Sequence, residues 1–112
     1  VSWGNESAVL KMNVDEHIHN GSGFLQGGFY VILADEAIAL AVLAELSETE
    51  GTTTVTETTE FIRGIKEGEM YASAKIIRKG RRIIFAEAEV REGSVDGKLL
   101  SKTTASYLIT SA

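Results

Sequence analysis

The order of apolar and polar positions divides the chain into one helix and five strands. Ala8, Leu10, Met12 and Val14 fall on one face and Lys11 and Asn13 on the other, the period-two pattern of a half-buried strand. A turn cluster follows, Asn20-Gly21-Ser22-Gly23, and then Gly27-Gly28 directly before an apolar run. Ala and Leu, strong helix formers, dominate Leu33 to Leu46 and predict a helix there. Its stop is expected in Ser47–Gly51, with Gly51 as terminator or turn residue. Thr52 to Arg63 is rich in Thr, a β-branched residue that fits strands. Met70, Ala72, Ala74 and Ile76 alternate with Tyr71, Ser73 and Lys75, and Ile84, Ala86, Ala88 and Val90 alternate with Glu87 and Glu89. Leu99 to Thr110 is the last strand; Gly64 to Gly68, Lys79-Gly80-Arg81 and Gly93 to Gly97 are turns. A strand, a helix and then four strands in meander predict a single antiparallel α+β domain over residues 1–112, without βαβ winding.

The apolar run raises a membrane question. Phe29 to Leu46 is apolar nearly all round for 18 residues, the lower limit for a spanning helix. Asp35 and Glu36 sit near its middle, where an acid costs about 2.5–3.5 kcal/mol by insertion scales. A central helix wrapped by a sheet fits better, and no membrane partner is expected. A five-stranded sheet in a chain of 112 residues covers only one face of such a helix. The other face implies a partner subunit.

Composition narrows the chemistry. Hydrophobic residues are 44% and charged residues 24%, ordinary for a globular chain. There is no Cys and no Pro, and the only His are His17 and His19. That removes disulfides, Cys-ligated zinc and a thiol nucleophile, and leaves a Ser-His-Asp triad or a full metal cage without enough His. His17 and His19 share a face if extended, but no third ligand accompanies them, so no metal is expected. A net charge of −5 argues against a nucleic-acid partner and suits a cytoplasmic protein. Val1 in place of Met points to a trimmed start, and the first residues lack the basic and apolar regions of a signal peptide.

Carboxylates and backbone amides therefore have to carry any catalysis. Asn20, Gly27-Gly28 and Asp35 cluster around the helix start. A helix N-terminus presents unpaired N–H groups and partial positive charge, and two glycines there let a substrate approach the backbone. That is the design of an oxyanion hole; a tight turn is the plainer explanation of the glycines. Asp35, two turns inside an apolar helix, costs free energy unless paired or hydrated. It is either a catalytic carboxylate or a buried structural one bonded to backbone or Thr hydroxyls. Glu36, about 100° away around the helix, is assigned to solvent or an interface. Eight residues from Gly27 to Asp35 span roughly 12 Å of helix, whereas reacting groups must approach within about 3–3.5 Å. The two therefore cannot serve one carbonyl from the same chain. A composite site is expected, with Gly27 from one subunit and Asp35 from the other.

Asn20-x-x-Gly23-x-x-Gln26-Gly27-Gly28 followed by Leu33-Ala34-Asp35 resembles the hotdog-fold acyl-CoA thioesterases of the phenylacetate-degradation and 4-hydroxybenzoyl-CoA type. The stretches Glu60-Phe61-Ile62-Arg63, Gly80-Arg81-Arg82 and Lys102-Thr103-Thr104-Ala105 are similar to the family as well. The resemblance runs from Ala8 onward. It implies a five-stranded antiparallel sheet wrapped around a long central helix, and hydrolysis of an acyl- or aryl-acyl-CoA thioester. It implies that the Gly27 amide receives the thioester oxygen, and that Asp35 from the facing subunit is nucleophile or general base. Asn20 would hold substrate or water, and a hydroxyl in the next strand would hold that water: Thr54 first, with Thr53 and Thr56 as rivals. Gln26 and Gly28 would line the substrate. Lys79, Arg81 and Arg82 would meet the phosphates of coenzyme A, although a solvated hairpin tip accounts for them equally simply. Coenzyme A enters only as part of the substrate, with no further cofactor, and the assembly implied is a homodimer or a dimer of dimers.

Two positions depart from the family pattern. Gln26 replaces a His and cannot become cationic, and Gly64 replaces a Pro. The first leaves open a module that binds acyl-CoA without turnover. A hotdog dehydratase or hydratase is disfavoured, because its His–acid pair sits in a Pro-rich segment and this chain has no Pro. Trp3 and Tyr107 are read as packing residues.

Overall fold

The computed structural model describes residues 2–4, 7–14 and 27–111. In chain order these form β1 (Ser2–Gly4), β2 (Ser7–Val14), α1 (Gly27–Leu43), β3 (Glu50–Phe61), β4 (Gly68–Lys79), β5 (Ile83–Glu92) and β6 (Leu99–Ser111). All neighbouring strands are antiparallel, in the order β1-β2-β4-β5-β6-β3. Five long strands wrap one central helix, as expected. The three residues of β1 add a short edge beside β2 that is too brief to carry a periodic signal.

The core lies between α1 and the strands it crosses. Ala72, Ala74, Ile76, Ala86, Ala88 and Val90 alternate inward from β4 and β5, and all are buried. Ala34, Ala37, Ile38 and Ala41 meet them from α1. Small side chains on both surfaces let the helix sit close to the sheet, and Ile38 fills the remaining space with no exposure.

The helix starts at Gly27, where the glycine pair was expected to open it, and so reaches six residues ahead of the Ala- and Leu-rich stretch, although Phe29, Val31 and Ile32 are weak helix formers. Tertiary packing outweighs propensity there. Tyr30 and Leu33 are buried, and the Tyr30 hydroxyl donates to the Arg63 carbonyl (3.3 Å) and accepts from the Ile65 amide (3.1 Å). The helix ends earlier than expected, at Leu43, through tightened bonds from Glu45 N–H to Val42 O and Leu46 N–H to Leu43 O. Gly51 consequently ends no helix; it lies in β3 opposite Thr110.

The expected four-strand meander holds only for β4, β5 and β6. β3 instead pairs with β6 at the far edge of the sheet. The chain leaves α1 beyond the strands the helix covers and forms that edge. It then returns to β4 through residues 62–67, which pass the start of α1 under the Tyr30 hydroxyl. Sequence periodicity defines which side chains face inward but not which strands are neighbours.

One face of α1 remains uncovered. Ile32, Asp35, Glu36, Ala39 and Leu43 form an exposed stripe, with Ile32 at 53% and Leu43 at 65%. The sheet covers the opposite side only, consistent with the one-sided burial expected. Among the described residues no helix is long and apolar enough to cross a membrane.

Candidate active site

Asp35 sits midway along this stripe and is exposed, so it is not a buried structural carboxylate. It borders a cleft of about 340 Å³ between the C-terminal half of α1 and the β3–β6 edge. Ala39, Val42, Leu43 and Leu46 supply an apolar wall; Thr52, Thr54 and Tyr107 supply hydroxyls opposite.

A β-bulge determines which hydroxyls reach the cleft. Thr54 pairs with Tyr107 and Thr56 with Ser106, so Val55 is an extra residue in β3. Thr54 therefore faces inward. Thr53 stands opposite Leu108, and Thr56 bonds Ser106 across the outer face at 2.7 Å. Of the three Thr weighed from the sequence, only Thr54 borders the cleft with Asp35.

The same bulge turns Glu57 inward, and Glu57 was not anticipated. Strict alternation from Thr54 would place Glu57 on the outer face with Val55. One inserted residue reverses that parity. Glu57 stands opposite Ala105 and hydrogen-bonds the Asp35 carboxyl. Burial first, and then the hydrogen bond and charge of Asp35, push its carboxyl up to about 7. Tyr107 is 6% exposed and its hydroxyl has no hydrogen-bond partner among the described residues. Burial, and secondarily the Asp35 and Glu57 charges, raise its phenol well above the usual range. Tyr107 is thus a packing residue, as expected, with a polar end turned into the cleft.

Gly27 and Gly28 occupy the first turn of α1, so their N–H groups are among those the helix leaves unpaired. Neither has a positive φ. A Cβ on Gly27 would meet only Phe61 at 3.5 Å, and one on Gly28 would meet nothing within 4 Å. Neither backbone conformation nor packing among the described residues requires these glycines. Gly27 and Asp35 lie about 12 Å apart along the helix.

The basic tip lies between β4 and β5. The Lys79 ammonium donates to the Glu45 carbonyl just beyond α1, which ties the tip to the end of the helix that borders the cleft. Arg81 and Arg82 are exposed. Asn20, Gln26, His17 and His19 lie outside the described residues. Among the described residues no group of three or more His, Asp or Glu could hold a metal ion.

Residues 22–96 match the family model described as the thioesterase superfamily. Solved structures agree in fold. A thioesterase from Haemophilus influenzae is 23% identical, with 99% of this chain and 76% of that one covered at a TM-score of 0.89. A phenylacetic acid degradation-related protein from Ralstonia eutropha, described as a putative thioesterase, is 26% identical, with 92% and 76% covered and a TM-score of 0.82. A mutant of the phenylacetic acid degradation protein from Thermus thermophilus is 23% identical, with 96% and 89% covered and a TM-score of 0.86. No curated protein matches by sequence. The family match over most of the chain, together with the wrapped helix, makes this chain a hotdog-fold member of the thioesterase superfamily.

Proposed function

We propose that the chain hydrolyses an acyl- or aryl-acyl-CoA thioester, with Asp35 as the attacking carboxylate or the base for water. The observation that carries this reading is the exposed Asp35 at the edge of a cleft with one apolar and one hydroxyl-bearing wall. The apolar wall suits an acyl group. The carboxylate can attack the thioester carbon to give a mixed anhydride and a thiolate, or take a proton from water that attacks instead. A thiol with pKa near 8.5 leaves readily as thiolate. Thr54, which borders the cleft with Asp35, is assigned to the water, and Asn20, Gln26 and Gly28 to the substrate, from the family pattern.

The Gly27 amide of a facing subunit supplies the oxyanion donor. Two features support a partner on this side: the exposed stripe of α1, and the outer edge of the 12-residue β3, which pairs with no strand among the described residues. A long edge without Pro or Lys is open to strand pairing. Two β3 edges joined about a two-fold axis would continue the sheet and set two α1 helices antiparallel. Gly27 of one would then approach Asp35 of the other. Lys79, Arg81 and Arg82, at the same end of the protomer as the cleft, would receive the coenzyme A phosphates. The working unit is a homodimer or a dimer of dimers in the cytoplasm.

The test is hydrolysis of an acyl-CoA panel by the native chain and by Asp35→Ala, with oligomeric state measured in parallel. Loss of turnover in a folded Asp35→Ala protein supports the reading; retained turnover, or a fully active monomer, overturns it. The second reading, an acyl-CoA-binding module, is favoured by Gln26 where the family pattern has His. Tight product binding with negligible turnover would select it.

A further inference from the structure

β3 carries three inward-facing polar side chains beyond its bulge and at it: Thr54, Glu57 and Thr59. Thr59 is satisfied by Thr103 at 2.8 Å. Glu57 faces the methyl group of Ala105, which offers it nothing, and reaches across to Asp35 on α1. Two carboxyls in hydrogen-bond contact are not both ionised near neutrality, because like charges at that separation repel strongly. One must carry a proton and donate it. Asp35 is exposed and Glu57 half-buried, so desolvation places the proton on Glu57.

A second observation places a ligand at this cluster. The Tyr107 hydroxyl is buried, lines the same cleft as Asp35, and has no partner among the described residues. A buried hydroxyl left unpaired is costly, and a bound molecule would satisfy it. The titratable groups facing Glu57 are Asp35 from α1 and Tyr107 from β6. Glu87, Glu89 and Lys102 occupy the outer face, where Lys75 and Lys102 pair with Glu87.

We propose that Glu57 is a positioning residue, which in its protonated form donates a hydrogen bond to the Asp35 carboxylate and holds it toward the cleft. This rests on the thioesterase reading. Its proton is not consumed: Asp35 does the chemistry, and Glu57 keeps one of its oxygens engaged so that the other faces the substrate. When Glu57 ionises, the donor is lost and a second negative charge stands beside the attacking group. Turnover therefore falls on the alkaline side of neutrality.

Two variants separate this role from simple packing. Glu57→Gln keeps a donor that cannot ionise; Glu57→Leu keeps the bulk and removes the donor. Loss of one orienting hydrogen bond predicts about tenfold lower kcat for Glu57→Leu with little change in KM. Glu57→Gln should retain kcat and lose the alkaline fall near pH 7. A native kcat in Glu57→Leu, or a native pH profile in Glu57→Gln, overturns the assignment. Carboxyl NMR titration of the full chain gives a readout independent of activity. One glutamate should titrate about 7 in the native protein and well below that in Asp35→Asn. If the native chain hydrolyses no thioester, the thioesterase reading fails and the titration alone decides the carboxyl pair. An ordinary midpoint for Glu57 would eliminate it.

Discussion

On the β4–β5 flank α1 meets Ala72, Ala74, Ala86 and Ala88, all closed to solvent. On the β3–β6 flank Thr52, Thr54 and Tyr107 line a cleft beside the helix, and Glu57 reaches Asp35 on it. The two flanks belong to one sheet and share one helix, yet the first is packed with apolar methyl groups and the second retains polar groups with few internal partners. The buried Tyr107 hydroxyl has no partner among the described residues, and a group so left costs stability that a molecule or a subunit against this flank would restore. The difference assigns the packed core to one flank and the proposed chemistry to the other.

Substitutions should divide along the same line. The largest expected effect is on the open flank: Asp35→Ala should lower kcat by about 10²–10⁴-fold, the range for loss of a general base, while the denaturation midpoint stays close to native. Thioester hydrolysis and urea unfolding of the same preparation read both quantities. On the closed flank Ile38→Ala removes a side chain with no exposure and leaves a cavity between helix and sheet. It should cost about 2–5 kcal/mol of stability, with kcat retained in the fraction that remains folded. A destabilised Asp35→Ala, or an Ile38→Ala protein as stable as native, would break the division.

That division also explains what could be read from the sequence. The closed flank is regular, and alternation of Ala72, Ala74 and Ile76 with Tyr71, Ser73 and Lys75 places β4 almost to the residue. Asp35 stood out as a candidate because a carboxylate inside an apolar helix is an exception to its surroundings. Glu57 was not, because Thr54, Thr56 and Thr58 in an unbroken strand read as one face, and nothing in the Thr run announces the extra residue at Val55. The place of β3 beside β6 was equally hidden, since strand neighbours depend on where α1 delivers the chain.

Glu57 supplies a smaller test of the open flank through stability. Its native pKa is raised, to about 7 from 4.5. The native state therefore holds this proton more tightly than the unfolded chain does. The resulting stabilisation is fully present below the unfolded value and is lost as pH rises through about 7. Thermal unfolding at pH 5.5 and pH 8 should show a larger loss in the native chain than in Glu57→Gln, which cannot ionise. Equal losses would mean that Asp35 and Glu57 do not share a proton.

The smallest effect is expected at the basic tip, where β4 turns into β5 beside the end of α1. Lys79 is engaged with the Glu45 carbonyl and contributes to holding the tip in place, whereas Arg81 and Arg82 project into solvent. Exposed charges are screened over a Debye length of about 8 Å at physiological salt. Replacing both arginines with Ala should therefore raise KM for an acyl-CoA a few-fold at low salt, leave kcat unchanged, and matter less as salt is added. A thioester lacking the nucleotide phosphates should show no difference between the variant and the native chain. The contrast isolates phosphate contact from any effect on the cleft, because Asp35, Thr54 and Tyr107 do not touch the tip's arginines. Should the arginines alter kcat instead, the tip would belong to the reacting end of the substrate and not to its phosphate end.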